Sequence, residues 1–172
     1  RKVAKDEGKK EAQAPAYTVV LPEFRKLVEQ SKFAAASELL QDVTLNEHQR
    51  DERDERDAWV YLSDSASAFL GGLEAVMPDK EVPLKIDGVD GKTYQSILGA
   101  KEGGLTLKGN AGAVFVPWAM IKPESVLTIH QKAFRQTLSN LEGQLRTEQA
   151  ICYAWLSGME DKAQLAAGKL SE

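Results

Sequence analysis

The chain has 172 residues, 42% of them hydrophobic, enough for one real core that removes roughly 70% of the unfolded surface from water. A formal net charge of −4 offers no clustered Lys and Arg for phosphate backbones or anionic lipid, so nucleic acid is not an expected partner. The longest apolar runs, such as residues 113–121 with their internal proline, fall far short of the roughly 20 residues that cross a bilayer.

Residues 1–17 read as a charged linker. The stretch RKVAKDEGKKEAQAPA buries too little to offset its ordering entropy, so it is expected to be a solvated tether or a frayed helix. Asp6, Glu7 and Glu11 dilute its positive charge, which weighs against a basic membrane patch. The chain begins at Arg1 without a methionine or an apolar leader and is expected to be a piece of something longer. The compartment stays unknown, with an extracytoplasmic or membrane-tethered place open only through a missing upstream segment.

Residues 18–172 are expected to form a single compact α+β domain. It is mostly helical, with a small antiparallel β-meander or barrel-like unit inserted between an N-terminal and a C-terminal helical segment. In the helical part, residues 20–78, Phe24, Leu27 and Val28 and then Phe33, Ala36, Leu39, Leu40 and Val43 recur every three or four positions, which predicts two short amphipathic helices. Pro22 suits a first helical turn. The charge run NEHQRDERDERD at residues 46–57 places Glu52 with Arg56, Arg50 with Asp54 and Arg53 with Asp57 at helical spacing, each pair stabilising a solvated helix by about 0.2–0.5 kcal/mol. A calcium cage would need a turning glycine and a ligand register that this run lacks. Trp59, Leu62, Ala66, Phe69, Leu70, Leu73 and Val76 continue a helical stripe to Pro78, long enough to be the spine of the fold.

Period-two alternation marks the β unit, residues 82–118: Leu84 and Ile86; Tyr94, Ser96 and Leu98; Leu105 and Leu107; Val114 and Val116. Asp87-Gly88, Asp90-Gly91, Gly103-Gly104, Gly109-Asn110 and Gly112 supply the turns between them. Gly91-Lys92-Thr93 has the ending of a phosphate-binding loop, but Ile86 stands where the pattern wants its first glycine, and Gly99 soon breaks the run that should be a long helix.

In the last helical part, residues 123–171, Pro123 and Glu124 open a helix whose apolar side is Val126, Leu127, Ile129, Phe134 and Leu138. Residues 141–155 continue helical and Gly158 breaks them before residues 159–170. Ala150, Tyr153, Gly158, Ala163 and Ala167 have the small-and-bulky spacing of a tetratricopeptide helix pair. One pair predicts a closing hairpin, not a solenoid, which needs about three repeats.

No catalytic residue, metal site or cofactor is expected. His48 and His130 have no further histidine or cysteine at metal-ligand spacing, and no GxSxG elbow occurs. The single cysteine, Cys152, lies between Ile151 and Tyr153, where a small thiol suits core packing.

Residues 94–170 carry an apolar strand pair around Leu105 and Val114, then Trp118 followed by Pro123-Glu124, then a helix and a closing hairpin around Ala150, Gly158 and Ala163. This order resembles the C-terminal accessory region of certain bacterial membrane-linked multidomain proteins, some of them serine/threonine kinases. The resemblance implies a noncatalytic regulatory or sensing domain of a larger bacterial protein and no particular ligand. Its expected contact surface is the mouth of the strand unit, Tyr94, Phe115 and Trp118, with a protein or peptide partner that could be a second copy. Trp118, beside Val116 and Ile121, suits a core cap between strand and helix better than a ligand platform. Two alternatives remain: a helical adapter gripping peptide or itself through the stripes at residues 59–76 and 126–138, and a small enzyme using Asp51, Asp54 and Asp57 in a cleft.

Overall fold

A computed structural model of the chain describes residues 16–134 and 141–170. The expected linker residues 1–15 and Leu138 lie outside them. The first helix, α1 (Tyr17–Glu29), opens at the end of that linker because Tyr17 is buried, at 2% exposure, with Val20 and Phe24. Pro22 therefore falls inside the helix and not in its first turn. It cannot donate to the Thr18 carbonyl, a loss set against the burial that its neighbours gain. Past the end of α1 the chain turns at Ser31, whose φ of 54° is the left-handed turn usually given to glycine, with the Lys32 amide reaching back 2.9 Å to the Leu27 carbonyl.

The second helix, α2 (Phe33–Gln41), folds back on α1, and both lie on the first half of α3 (Arg50–Val76). Tyr17, Val20, Phe24, Ala36, Leu40 and Val43 make this smaller core, closed by Trp59 at a ring separation of 5.6 Å from Phe24. At about 1.5 Å per residue, α3 runs about 40 Å. Its second half serves a different core, with Ala66, Phe69, Leu70 and Leu73 turned to the sheet and the later helices. Of the three expected charge pairs on α3, Arg50 and Asp54 approach to 3.9 Å. Arg56 instead pairs with Asp57 and donates to the Val43 carbonyl at 2.9 Å, tying α3 to the end of α2.

Four strands follow, β1 (Val82–Asp87), β2 (Thr93–Lys101), β3 (Gly104–Gly109) and β4 (Gly112–Pro117), all antiparallel in the order β1-β2-β3-β4. β1 and β4 do not pair, so the unit is an open meander and not a barrel. Leu105 stands opposite Val116 and Leu107 opposite Val114, and opposite residues share a face. Ile97, Leu105, Leu107 and Val116 are buried with Ile121, Val126, Ile129 and Tyr153 in the larger core.

A short 3-10 turn, Trp118–Met120, leads into α4 (Pro123–Ala133), with proline in the first turn as expected. The closing pair, α5 (Leu141–Leu156) and α6 (Glu160–Leu170), turns at Gly158, whose φ is 81°. The Met159 amide closes that turn on the Ala154 carbonyl at 2.9 Å. Tyr153 stacks on Phe69 at 4.7 Å and meets Phe33 edge-on at 6.0 Å, so one side chain of α5 joins α2 and α3.

Candidate functional site

A meander has two edges, and here they differ. At the β1 edge the backbone groups of Pro83 and Asp87 are already engaged. Lys132 Nζ donates to the Pro83 carbonyl at 2.9 Å, the Lys122 amide to the Asp87 carbonyl at 2.8 Å, and the Asp87 amide to Ser125 Oγ at 3.0 Å. Residues 122–132 thus plug this edge with side chains and backbone of the α4 segment.

The β4 edge is built differently. The Trp118 amide donates to the Gly103 carbonyl at 3.0 Å, and this bond continues the β3–β4 ladder. Bonded and non-bonded pairs alternate along an antiparallel ladder. The pairs Leu105–Val116, Leu107–Val114 and Gly109–Gly112 therefore exchange bonds, while Ala113 and Phe115 turn their N–H and C=O outward. Pro117, the next outward position, has no N–H to leave unpaired. Val114 is 45% exposed and Phe115 43%, on opposite faces of the strand, and β4 carries no charged residue.

The three aromatic residues expected at the mouth of the strand unit do not share one accessible surface. Trp118 is 3% exposed, and its indole N–H donates to Glu74 Oε1 at 2.7 Å. The same carboxylate oxygen accepts the Gly103 amide at 3.0 Å, so Glu74 clamps the β2–β3 turn and the end of β4 to α3. Tyr94 is 8% exposed, in the larger core. Phe115 alone of the three is open, its ring lying over Gly104, where a methyl group would come within 2.9 Å of Phe115 Cζ and 2.3 Å of the Val116 carbonyl oxygen. Glycine at 104 is what lets the ring come this close to the neighbouring strand.

Gly91 and Lys92 lie in the turn between β1 and β2 and Thr93 opens β2; the amides of this turn are already engaged, that of Gly91 by the Gly88 carbonyl at 3.3 Å. The Gly88 amide donates to the Lys92 carbonyl at 2.7 Å, the Val89 amide to the Met120 carbonyl at 3.0 Å, and the Lys92 amide to Asp90 Oδ1 at 3.1 Å. Lys92 Nζ sits 3.5 Å from Asp90 Oδ2. An anion would find neither a row of free amides nor a free ammonium there.

Asp51, Asp54 and Asp57 are exposed on α3, and the stripe at Ala66, Phe69, Leu70 and Leu73, offered for an adapter, is buried in the larger core. A cleft of about 640 Å³ opens between α4, α5 and α6, lined by Leu127, Phe134, Ile151 and Ala163 with Lys162, and without a carboxylate or a thiol among the described residues. His130 borders it, held between Phe69 at 5.0 Å and Phe134 at 5.1 Å. Burial, with help from the Arg146 charge, pushes its pKa down to about 4, so the imidazole is neutral near pH 7. Burial likewise pushes the Cys152 thiol up, away from the reactive thiolate. Among the described residues no cluster of three His, Cys, Asp or Glu is arranged to hold a metal, and no helix is long and apolar enough to cross a membrane.

Sequence reasoning missed the open amides of Ala113 and Phe115 and the clamp at Glu74. Half of the signal for the first was on view: GAVFVP has no Lys, Arg, Asp or Glu to guard an edge, while the sheet order that makes it an edge is not in the local sequence. Glu74 had none, because its partners lie 29 and 44 residues away. Comparison with protein-family models, curated proteins and solved structures found no match.

Proposed function

We propose that the chain is a noncatalytic interaction module, part of a larger protein, whose β4 edge receives an extended segment of a protein partner. The observation that carries this reading is the contrast between the two edges of one sheet: the α4 segment engages β1 at Pro83 and Asp87, whereas the outward amides and carbonyls of Ala113 and Phe115 on β4 have no partner among the described residues and lie between two exposed apolar side chains. Natural sheets normally guard such an edge with charge, a bulge or a covering element. An added strand gains affinity from main-chain hydrogen bonds and specificity from alternate side-chain contacts. Phe115 on one face and Val114 on the other are those contacts here.

Selection of peptides from a random display library tests the reading. The selected sequences are expected to be extended, with β-branched and aromatic residues alternating. Ala113→Pro, which deletes one outward donor while leaving the β3–β4 ladder intact, is expected to weaken their binding about three- to tenfold, the range of one lost hydrogen bond. Peptides bound equally well by the Ala113→Pro chain would contradict it.

A further inference from the structure

The pattern of free groups on β4 fits a copy of itself. Resting on the reading of β4 as a docking edge, we propose that its partner is a second copy of this chain, paired antiparallel about a twofold axis at Val114. In that register Ala113 of each copy faces Phe115 of the other. Each of these pairs exchanges two bonds, so every outward N–H and C=O of Ala113 and Phe115 is satisfied in both copies. A twofold at Phe115 is poorer, because Ala113 would then face Pro117, which has no N–H to give.

Side chains agree with the register. The small Ala113 lies beside the large Phe115 of the other copy, and Val114 meets Val114 on the opposite face, a β-branched pair suited to a sheet. Because β4 has no charge, no like charges are brought together at the seam. An isologous contact of this kind closes at two copies and joins two four-stranded meanders into one eight-stranded sheet. The free edges are consumed in doing so. A seam of one strand against one strand lies at the small end of interfaces, so association is expected to be weak and concentration-dependent.

Disulfide trapping reads the register directly. At a twofold on Val114 the two Val114 Cα atoms would be about 4.5 Å apart, the spacing of a non-hydrogen-bonded pair, and within the roughly 4.4–6.8 Å that a disulfide spans. Val114→Cys is expected to form covalent dimers on mild oxidation at least about tenfold faster than Phe115→Cys, whose cysteine would face Ala113. An unaltered chain, with Cys152 buried, serves as the background. Sedimentation of the unaltered chain is the second readout and does not depend on a variant folding: its mass should rise from 18.9 kDa toward twice that value as concentration increases. A mass fixed at 18.9 kDa, with Val114→Cys and Phe115→Cys cross-linking at equal rates, overturns self-pairing. If library peptides still bind in an Ala113-dependent way, only the identity of the partner is wrong. If they do not, the docking edge falls with it.

Discussion

His130 illustrates how one residue's surroundings decide what it does. A lone histidine on a helix could be a base, a ligand or filler, and its neighbours make it filler. Phe69 and Phe134 flank the ring, Arg146 lies with its guanidinium carbon 4.0 Å from the centre of the Phe134 ring, and Nε2 is buried without a hydrogen-bond partner among the described residues. Its pKa is about 4 in the folded chain against about 6.5 unfolded, so the unfolded chain takes up the proton first. Stability from this site is therefore complete above about pH 6.5 and is lost as pH falls toward 4. Urea unfolding between those limits should show the chain weakening with acid, and His130→Phe should flatten that part of the profile. Equal slopes in the two proteins would mean that the ring is solvated and titrates normally.

At the scale of elements, the clamp at Glu74 does more than any charge pair on the surface. Its carboxylate takes both the Trp118 indole and the Gly103 amide, binding α3 to the sheet at the point where β2 turns into β3 and β4 ends. Glu74→Ala leaves the buried indole N–H without a partner, and the cost is expected to be about 1–3 kcal/mol. Exposed Arg50→Ala, which breaks only the 3.9 Å pair with Asp54, should cost a few tenths of a kcal/mol at most. Chemical denaturation of the two variants checks the contrast; comparable losses would show that the clamp is solvated. The elements themselves were legible because each obeys one period. Spacing of three and four marked the helices, and Leu105, Leu107, Val114 and Val116 marked two strands by alternation. Pro22 and Arg56 were misread because each was judged on its own helix. Burial of Tyr17 moved the helix start ahead of Pro22, and the Val43 carbonyl drew Arg56 away from Glu52.

Across the whole molecule, two helices serve both cores: α2 gives Phe33 to the larger and Ala36 and Leu40 to the smaller, while α3 carries α1 and α2 on its first half and the meander, α4 and α5 on its second. That arrangement explains how much of the candidate site could be read in advance. Aromatic residues in strands were visible, but whether each faces core or solvent depends on strand register and on what lies across the sheet. Trp118 and Tyr94 went inward with the larger core, and Phe115, one position from buried Val116, went outward over Gly104. Edge status depends on order in the sheet, which no local pattern contains. The plug on β1 comes from α4, beginning 35 residues after the Asp87 it covers at Lys122.

Residue-resolved amide hydrogen exchange of the dilute chain shows whether β4 is an open edge. Val114 and Val116 donate into the β3 ladder and should exchange slowly, whereas Ala113 and Phe115, two positions of the same strand, should exchange at least about 100-fold faster. Raising the concentration, or adding a selected peptide, should slow Ala113 and Phe115 and leave the other two unchanged. If all four amides are equally protected in the dilute chain, the edge is already covered and β4 is not a docking edge.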